Sequence, residues 1–174
     1  MHVLFVCTGN ICRSPTAERL AAAYAAESRL SDFTTASAGT RAVINHPIHP
    51  DAAVVLEGLG GDSSDFAARQ LNYKIASAAD LVLTMTRAHR DAVVELTPRK
   101  LNKTFTLTEI AQIAAELCPQ DVKDLPALRG HLAANESLDI ADPIGQSLEV
   151  FSQVGTRIAQ LLPPVLELCR RSLA

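Results

Sequence analysis

Four short apolar runs punctuate the chain, and stretches of helical apolar spacing separate them. Val3-Leu4-Phe5-Val6 is a continuous run of strand formers, the pattern of a strand covered on both faces. Thr16 to about Ser28 is alanine-rich with Leu20, Ala21, Tyr24 and Ala25 on one stripe, which predicts a helix. Phe33 to Ala38 reads as a second strand, stopped by Gly39. The next segment carries Pro47, Pro50, His46 and His49 and reads as irregular loop until Asp51, where a helix begins that ends on Gly58 to Gly61. Ala67 to Ile75 has no clear period and admits a short helix. Leu81 to Met85 and Lys103 to Leu107 read as the third and fourth strands, with helices over Arg87 to Leu96 and Thr108 to Leu117. A helix from Asp121 to about Ala134, interrupted by Pro126, precedes a loop over residues 135–146. The chain closes on a long amphipathic helix, Ser147 to Cys169, which Pro163-Pro164 should kink or split.

Strands alternating with helices predict an α/β fold: one domain over residues 1–174, with a parallel sheet and helices on both faces. Ligands of such sheets sit beyond the carboxyl ends of the strands. The segment that leaves the first strand, Cys7 to Pro15, falls there.

With 174 residues, 48% apolar and 20% charged, the chain has ordinary globular composition and enough length for a real core. A net charge of −3 with scattered basic residues gives no reason to expect nucleic acid or an anionic membrane as partner. No apolar run reaches membrane-spanning length, and the apolar start is too short and lacks the basic flank of a signal peptide. Cys7, Cys12, Cys118 and Cys169 show neither CxxC nor zinc-ligand spacing. Reduced thiols in the cytoplasm, with no metal and no cofactor, are the expectation.

The Cys7 to Pro15 segment brings chemistry into the picture. Gly9 and Asn10 tolerate positive φ, so the loop can curl its amides inward, and it opens onto a helix N-terminus. A nest of that kind attracts an anion. Arg13 adds a fork for two anion oxygens, and Cys7 at the base supplies a thiol. The helix N-terminus, the inward amides and Arg13 all favour thiolate over thiol, and Ser14 can donate a hydrogen bond to it. A thiolate that displaces an ester oxygen needs an acid to protonate the leaving group, and the loop has none. Asp142, stiffened by Pro143, is the candidate; an N-cap or turn is its bland alternative.

Other residues stay open. Cys12 is either filler or the partner of Cys7 in a reversible disulfide. His46 and His49 suit a loop surface better than a metal site. Cys118 and Cys169 are expected to pack apolar faces. Arg69-Gln70 either holds the end of the loop or is solvated.

The run Cys7-Thr8-Gly9-Asn10-Ile11-Cys12-Arg13-Ser14-Pro15 resembles the signature of the low-molecular-weight protein tyrosine phosphatases. Ser37-Ala38-Gly39-Thr40, Ala68-Arg69-Gln70, Asp80 to Met85 and Asp142-Pro143 follow in the family's order. The resemblance implies a phosphatase I-like three-layer sandwich with strand order 2-1-3-4. It further implies metal-independent hydrolysis of phosphotyrosyl protein or aryl phosphates through a phosphocysteine. Cys7 would be nucleophile, Arg13 the clamp on the phosphoryl oxygens, and Asp142 acid and then base. Thr8, Gly9, Asn10, Ile11, Cys12 and Ser14 would bind phosphate, with Ser37 supporting the loop. A monomer or weak dimer is expected.

Several positions depart from the family. Val43 or Ile44, and Ile144-Gly145, stand where aromatic walls are usual, Phe66 where a loop-bracing histidine is common, and Thr86 where aspartate follows Met85. Lost aromatic stacking weakens ring recognition by about 0.5–1.5 kcal/mol per contact. A phosphoarginine phosphatase branch is therefore an alternative, although its loop has threonine at the place of Ile11. An arsenate reductase would use the same loop with two further cysteines relaying a disulfide, and Cys118 and Cys169 lie far apart in sequence, which disfavours that alternative. A non-catalytic phosphate-binding module is the remaining alternative.

Overall fold

The computed structural model describes residues 1–131 and 139–173. Strands β1 (His2–Cys7), β2 (Thr34–Gly39), β3 (Leu81–Thr84) and β4 (Thr104–Thr106) form one parallel sheet in the order β2-β1-β3-β4. The helices are α1 (Arg13–Glu27), α2 (Pro50–Gly58), α3 (Tyr73–Ala78), α4 (Arg87–Leu96), α5 (Leu107–Glu116), α6 (Leu125–Leu128) and α7 (Leu148–Leu173).

Strand alternation sends successive side chains of β1 to opposite faces. Val3, Phe5 and Cys7 join Ala17 and Ala21 of α1, Ile110 and Ile113 of α5 and Ile158 of α7 in the main core. Leu4 and Val6 pack on the other face with Leu71, Ala76 of α3 and Val93 of α4. This is the three-layer sandwich with strand order 2-1-3-4. A third cluster, Cys12, Ile48, Ala52, Leu56 and Phe151, fills the space between the Cys7 loop, α2 and α7.

Several elements differ from the sequence reading. Helix α1 starts at Arg13 rather than Thr16, because Pro15 sits in the first turn, where a missing N–H breaks no helical bond. Residues 67–72 contain no helix; Gln70 bridges to Gly39 beside β2, and Asn72 caps the later α3. The helix expected from Asp121 is a 3-10 turn over Val122–Asp124, the four-residue α6, and a second 3-10 turn over Arg129–His131. Its expected end at Ala134 and the start of the following loop, residues 135–138, lie outside the described residues. Pro163-Pro164 do not split the closing helix, which runs unbroken through both. Leu161, Leu162, Val165 and Leu166 on that turn are all buried, so packing holds the helix where two backbone bonds are missing. Cys169 is buried in the core as expected, but Cys118 is exposed, at positive φ just past the end of α5.

Candidate active site

The Cys7 loop leaves the carboxyl end of β1 and is held from outside by its own carbonyls. Those of Cys7, Thr8 and Gly9 accept the amides of Thr40, Arg41 and Val43 at 2.9, 3.0 and 2.9 Å, and that of Ile11 accepts the His49 amide at 2.8 Å. Engaging the carbonyls outward leaves the opposed faces of the loop's peptide units turned inward. The approach is close: a Cβ on Gly39 would lie 2.4 Å from the Thr8 carbonyl oxygen, so this end of β2 must be glycine.

Asn10 holds the loop's shape. It adopts φ +56°, which asparagine tolerates better than most residues. Its Nδ2 donates to Ser14 Oγ at 3.0 Å and to Ser37 Oγ at 2.7 Å, while Oδ1 accepts the Arg69 amide at 2.9 Å. That last bond fixes which end of the amide is oxygen. Ser14 Oγ, already an acceptor from Asn10, has its own proton free for Cys7 Sγ, 2.9 Å away. The Asn10 amide also donates to Sγ, at 3.3 Å. Ser37 in turn donates to Glu18 Oε2 at 2.5 Å, and Arg69 Nε donates to the Ser37 carbonyl at 2.7 Å.

Of the two readings left open for Arg69-Gln70, the structure shows the loop-holding one, whereas Glu18 did not stand out from sequence alone. Glu18 lies one turn after Ser14 on α1, a spacing that put it in reach of the loop. Burial pushes its carboxyl pKa up, against the pull of the Ser37 hydrogen bond and of Arg19 and Arg69. Phe66 lies beneath Arg19 with its ring centre 5.6 Å from the guanidinium carbon.

Arg13, the first residue of α1, is buried. Its Nη1 donates to the Ile140 carbonyl at 3.0 Å and its Nη2 pairs with the Asp142 carboxylate. Its Nε is buried and without a partner among the described residues. Buried donors left unpaired are uncommon, and this one belongs to the side chain best shaped to hold two oxygens of a tetrahedral oxyanion. Asp142 is brought in from 129 positions away by anchors on its loop. The Ile140 amide donates to the Met85 carbonyl at 2.8 Å, and Asp139 Oδ1 accepts the Arg87 amide at 2.8 Å. The second carboxylate oxygen of Asp142 accepts the Ile144 amide at 3.3 Å.

The two loop cysteines differ. Cys7 Sγ carries two hydrogen-bond donors. Cys12 is buried in the third cluster, and burial foremost, with Cys7 and Asp142 adding to it, pushes its thiol pKa up to about 12. Of the histidines, His49 caps α2 by accepting the Asp51 amide and stacks on Phe151 with ring centres 4.9 Å apart. His89 was not singled out in the sequence, yet it bonds to both Thr8 and Thr86 beside Arg13.

A cleft of about 610 Å³ opens next to the loop, lined by Thr8, Arg13, Arg41, His89, Asp139 and Asp142. On another side, Ile11 and Val43 stand together against Gly9, and Ile144 is exposed beyond Asp142. Among the described residues no helix is long and apolar enough to cross a membrane.

The family model described as low molecular weight phosphotyrosine protein phosphatase matches residues 2–124. A probable low molecular weight protein-tyrosine-phosphatase, AmsI of Erwinia amylovora, is 37% identical over 152 residues, 87% of this chain and 85% of that protein. The protein-arginine-phosphatase of Geobacillus stearothermophilus is 30% identical over 166 residues, 95% of this chain and 94% of its own. A solved structure of the arginine phosphatase YwlE, a cysteine-to-serine mutant with its active-site serine phosphorylated, is similar at a TM-score of 0.78 and 27% identity, covering 98% of this chain and 96% of that one. With a parallel sheet ordered 2-1-3-4 beneath such a loop, the chain belongs to the low molecular weight phosphotyrosine protein phosphatases, a family of cysteine-dependent enzymes.

Proposed function

We propose that the chain hydrolyses phosphotyrosyl protein or aryl phosphates through a phosphocysteine. The observation that carries this reading is the meeting of Cys7 Sγ, the buried Arg13 with its unpaired Nε, and Asp142 at one loop. In the first half-reaction Cys7 attacks phosphorus, the bond to the ester oxygen breaks, and Asp142 gives that oxygen a proton. In the second, water attacks the phosphocysteine, Asp142 takes its proton, and the phosphorus–sulfur bond breaks to release inorganic phosphate. Arg13 and the inward loop amides hold the equatorial oxygens throughout. Asn10, Ser14 and Ser37 keep the loop in shape. Cys12, with its thiol pKa near 12, stays protonated at neutral pH and leaves the nucleophilic role to Cys7.

A second reading, phosphoarginine hydrolysis, is favoured by the near full-length likeness to proteins named arginine phosphatases and by the aliphatic wall of Val43 and Ile144. Ile11 weighs the other way, since a hydroxyl there would suit a guanidinium better than a methyl group does. Arsenate reduction is disfavoured because Cys169, sealed in the core with its thiol pKa pushed up by burial to about 12, makes a poor relay.

The test is hydrolysis of a chromogenic aryl phosphate, with a metal chelator present, by wild type, Cys7→Ser and Asp142→Ala. Phosphotyrosine, phosphoserine and phosphoarginine peptides are then compared. Full activity in Cys7→Ser would sink the mechanism, and an inert wild type would favour a binding module. A large margin for phosphoarginine would select the second reading.

A further inference from the structure

His89 is buried at the start of α4, and both of its ring nitrogens are engaged. Nδ1 lies 2.9 Å from Thr86 Oγ1, and Nε2 lies 2.8 Å from Oγ1 of Thr8, the residue that follows Cys7 in the loop. The protons can be counted. Thr86 Oγ1 already accepts the His89 backbone amide at 3.2 Å, as the N-cap of α4. Among the described residues its one other contact is His89 Nδ1, and in one of the two neutral ring tautomers the Thr86 hydroxyl donates to that nitrogen. With Nδ1 accepting, the ring proton belongs on Nε2 and is donated to Thr8 Oγ1. The Thr8 hydroxyl proton then has no acceptor among the described residues, and Thr8 lines the cleft shared with Arg13 and Asp142.

We propose that His89 is a positioning residue: it holds the Thr8 hydroxyl with its proton turned into the cleft, as a hydrogen-bond donor to an oxygen of the bound phosphate monoester. The relay runs in one direction, from Thr86 through His89 and Thr8 to the substrate, with a donor at each step. Its surroundings keep the ring in the neutral form that the relay requires. Burial foremost lowers the pKa of His89 to about 4, with Arg13 and Arg41 adding to this and Asp142 and Asp139 opposing it. A protonated ring would donate from both nitrogens and collide with the Thr86 proton. Capping of α4 explains the Thr86 contact, but it gives no reason for Nε2 to reach Thr8, which belongs to another element. The inference rests on the hydrolase reading for its substrate, although the tautomer and phosphate affinity can be measured without turnover.

The experiment combines nitrogen-15 NMR of the imidazole with inorganic phosphate binding by calorimetry and aryl phosphate kinetics. The variants are Thr8→Val, Thr8→Ser, His89→Leu and His89→Gln. The ring should report the Nε2-protonated tautomer at pH 7. Thr8→Val and His89→Leu should each weaken phosphate binding and kcat/KM by about tenfold, the loss of one hydrogen bond to a charged group. The double variant should be no worse than Thr8→Val alone, because both remove the same bond. Thr8→Ser, and His89→Gln with its amide at the place of Nε2, should recover most of the loss. An Nδ1-protonated ring overturns the proposal, and so does normal phosphate affinity in Thr8→Val. A loss in His89→Leu that appears only as a lower Tm reduces His89 to a packing residue of α4 and overturns it too. An enzyme that binds phosphate in this pattern but turns over no ester refutes the hydrolase reading and leaves the relay intact.

Discussion

Arg13 and Asp142, one buried and one half-exposed, form an ion pair that joins the start of α1 to the loop before α7. The guanidinium that a phosphoryl group would engage is held by the carboxylate assigned to protonate the leaving oxygen. In the proposed mechanism, binding of a phosphate dianion competes for Arg13 and frees Asp142 for its proton transfers.

Asp142→Ala should cost little for esters with good leaving groups and roughly 10²–10⁴-fold in kcat where the leaving group needs protonation. The same change leaves the buried guanidinium without its carboxylate, so inorganic phosphate should raise the Tm of the variant more than that of wild type. A rate loss that ignores the leaving group would remove Asp142 as the acid. Steady-state kinetics over a series of substituted phenyl phosphates, with melting curves in phosphate, reads both effects.

Asn10 combines a positive φ with three side-chain hydrogen bonds, and two substitutions separate these contributions. Asn10→Gly keeps the conformation and loses the bonds, leaving Ser14 and Ser37 without their donor, at about 2–4 kcal/mol of stability. Asn10→Ala loses both and should be about 1 kcal/mol worse. Denaturant melts give the two values. Equal stability of the two variants would show that the φ value costs nothing, and wild-type activity in Asn10→Gly would show that the brace is idle.

The loop from Cys7 to Ser14 was legible because its residue types each have a distinct use within eight positions, and the sheet because its apolar runs are short and regularly spaced. The ion pair was not legible as an ion pair, since nothing local links Arg13 to a residue 129 positions away. Glu18 and His89 escaped notice for another reason. A glutamate and a histidine on helices read as solvated faces until the fold turns those faces toward the loop. Pro163-Pro164 misled in the opposite sense, because local propensity predicts a break and the buried leucines around them override it.

His89 binds its proton more weakly folded than unfolded, with a pKa near 4 against an ordinary value of 6.5. Between these values the unfolded chain takes up a proton that the folded chain refuses. The stability His89 contributes is complete above pH 6.5 and is lost as pH falls toward 4, by up to about 3 kcal/mol. In His89→Gln, stability over this window should fall less steeply with acid. Urea melts at pH 4.5 and 7 make the comparison, and parallel losses in variant and wild type would contradict it.

Glu18 has the opposite sign. Its raised pKa means the folded chain keeps a proton that the unfolded chain releases, so its contribution is complete below the ordinary carboxylate value and declines as pH rises through the raised one. Glu18→Gln keeps an oxygen to accept the Ser37 hydroxyl and removes the buried charge. The variant should gain on wild type in thermal melts as pH rises above the ordinary carboxylate range. An identical pH dependence in the two proteins would mean that Glu18 is ionised at no cost.

The four cysteines should separate under alkylation. Cys12 and Cys169 are buried with thiol pKa values pushed up to about 12, whereas Cys118 is exposed. Cys7 is buried too, and what sets it apart is that its Sγ is hydrogen-bonded to Ser14 and to the Asn10 amide in the loop proposed to hold phosphate. Iodoacetamide at pH 7.5 should therefore label Cys7 and Cys118 in the folded protein and all four after unfolding. Excess inorganic phosphate should protect Cys7 and leave Cys118 untouched, because only the first shares a site with the anion. Mass spectrometry of digested protein reads each position. Labelling of Cys12 ahead of Cys7, or protection of Cys118 by phosphate, would contradict the division of roles between the two loop thiols.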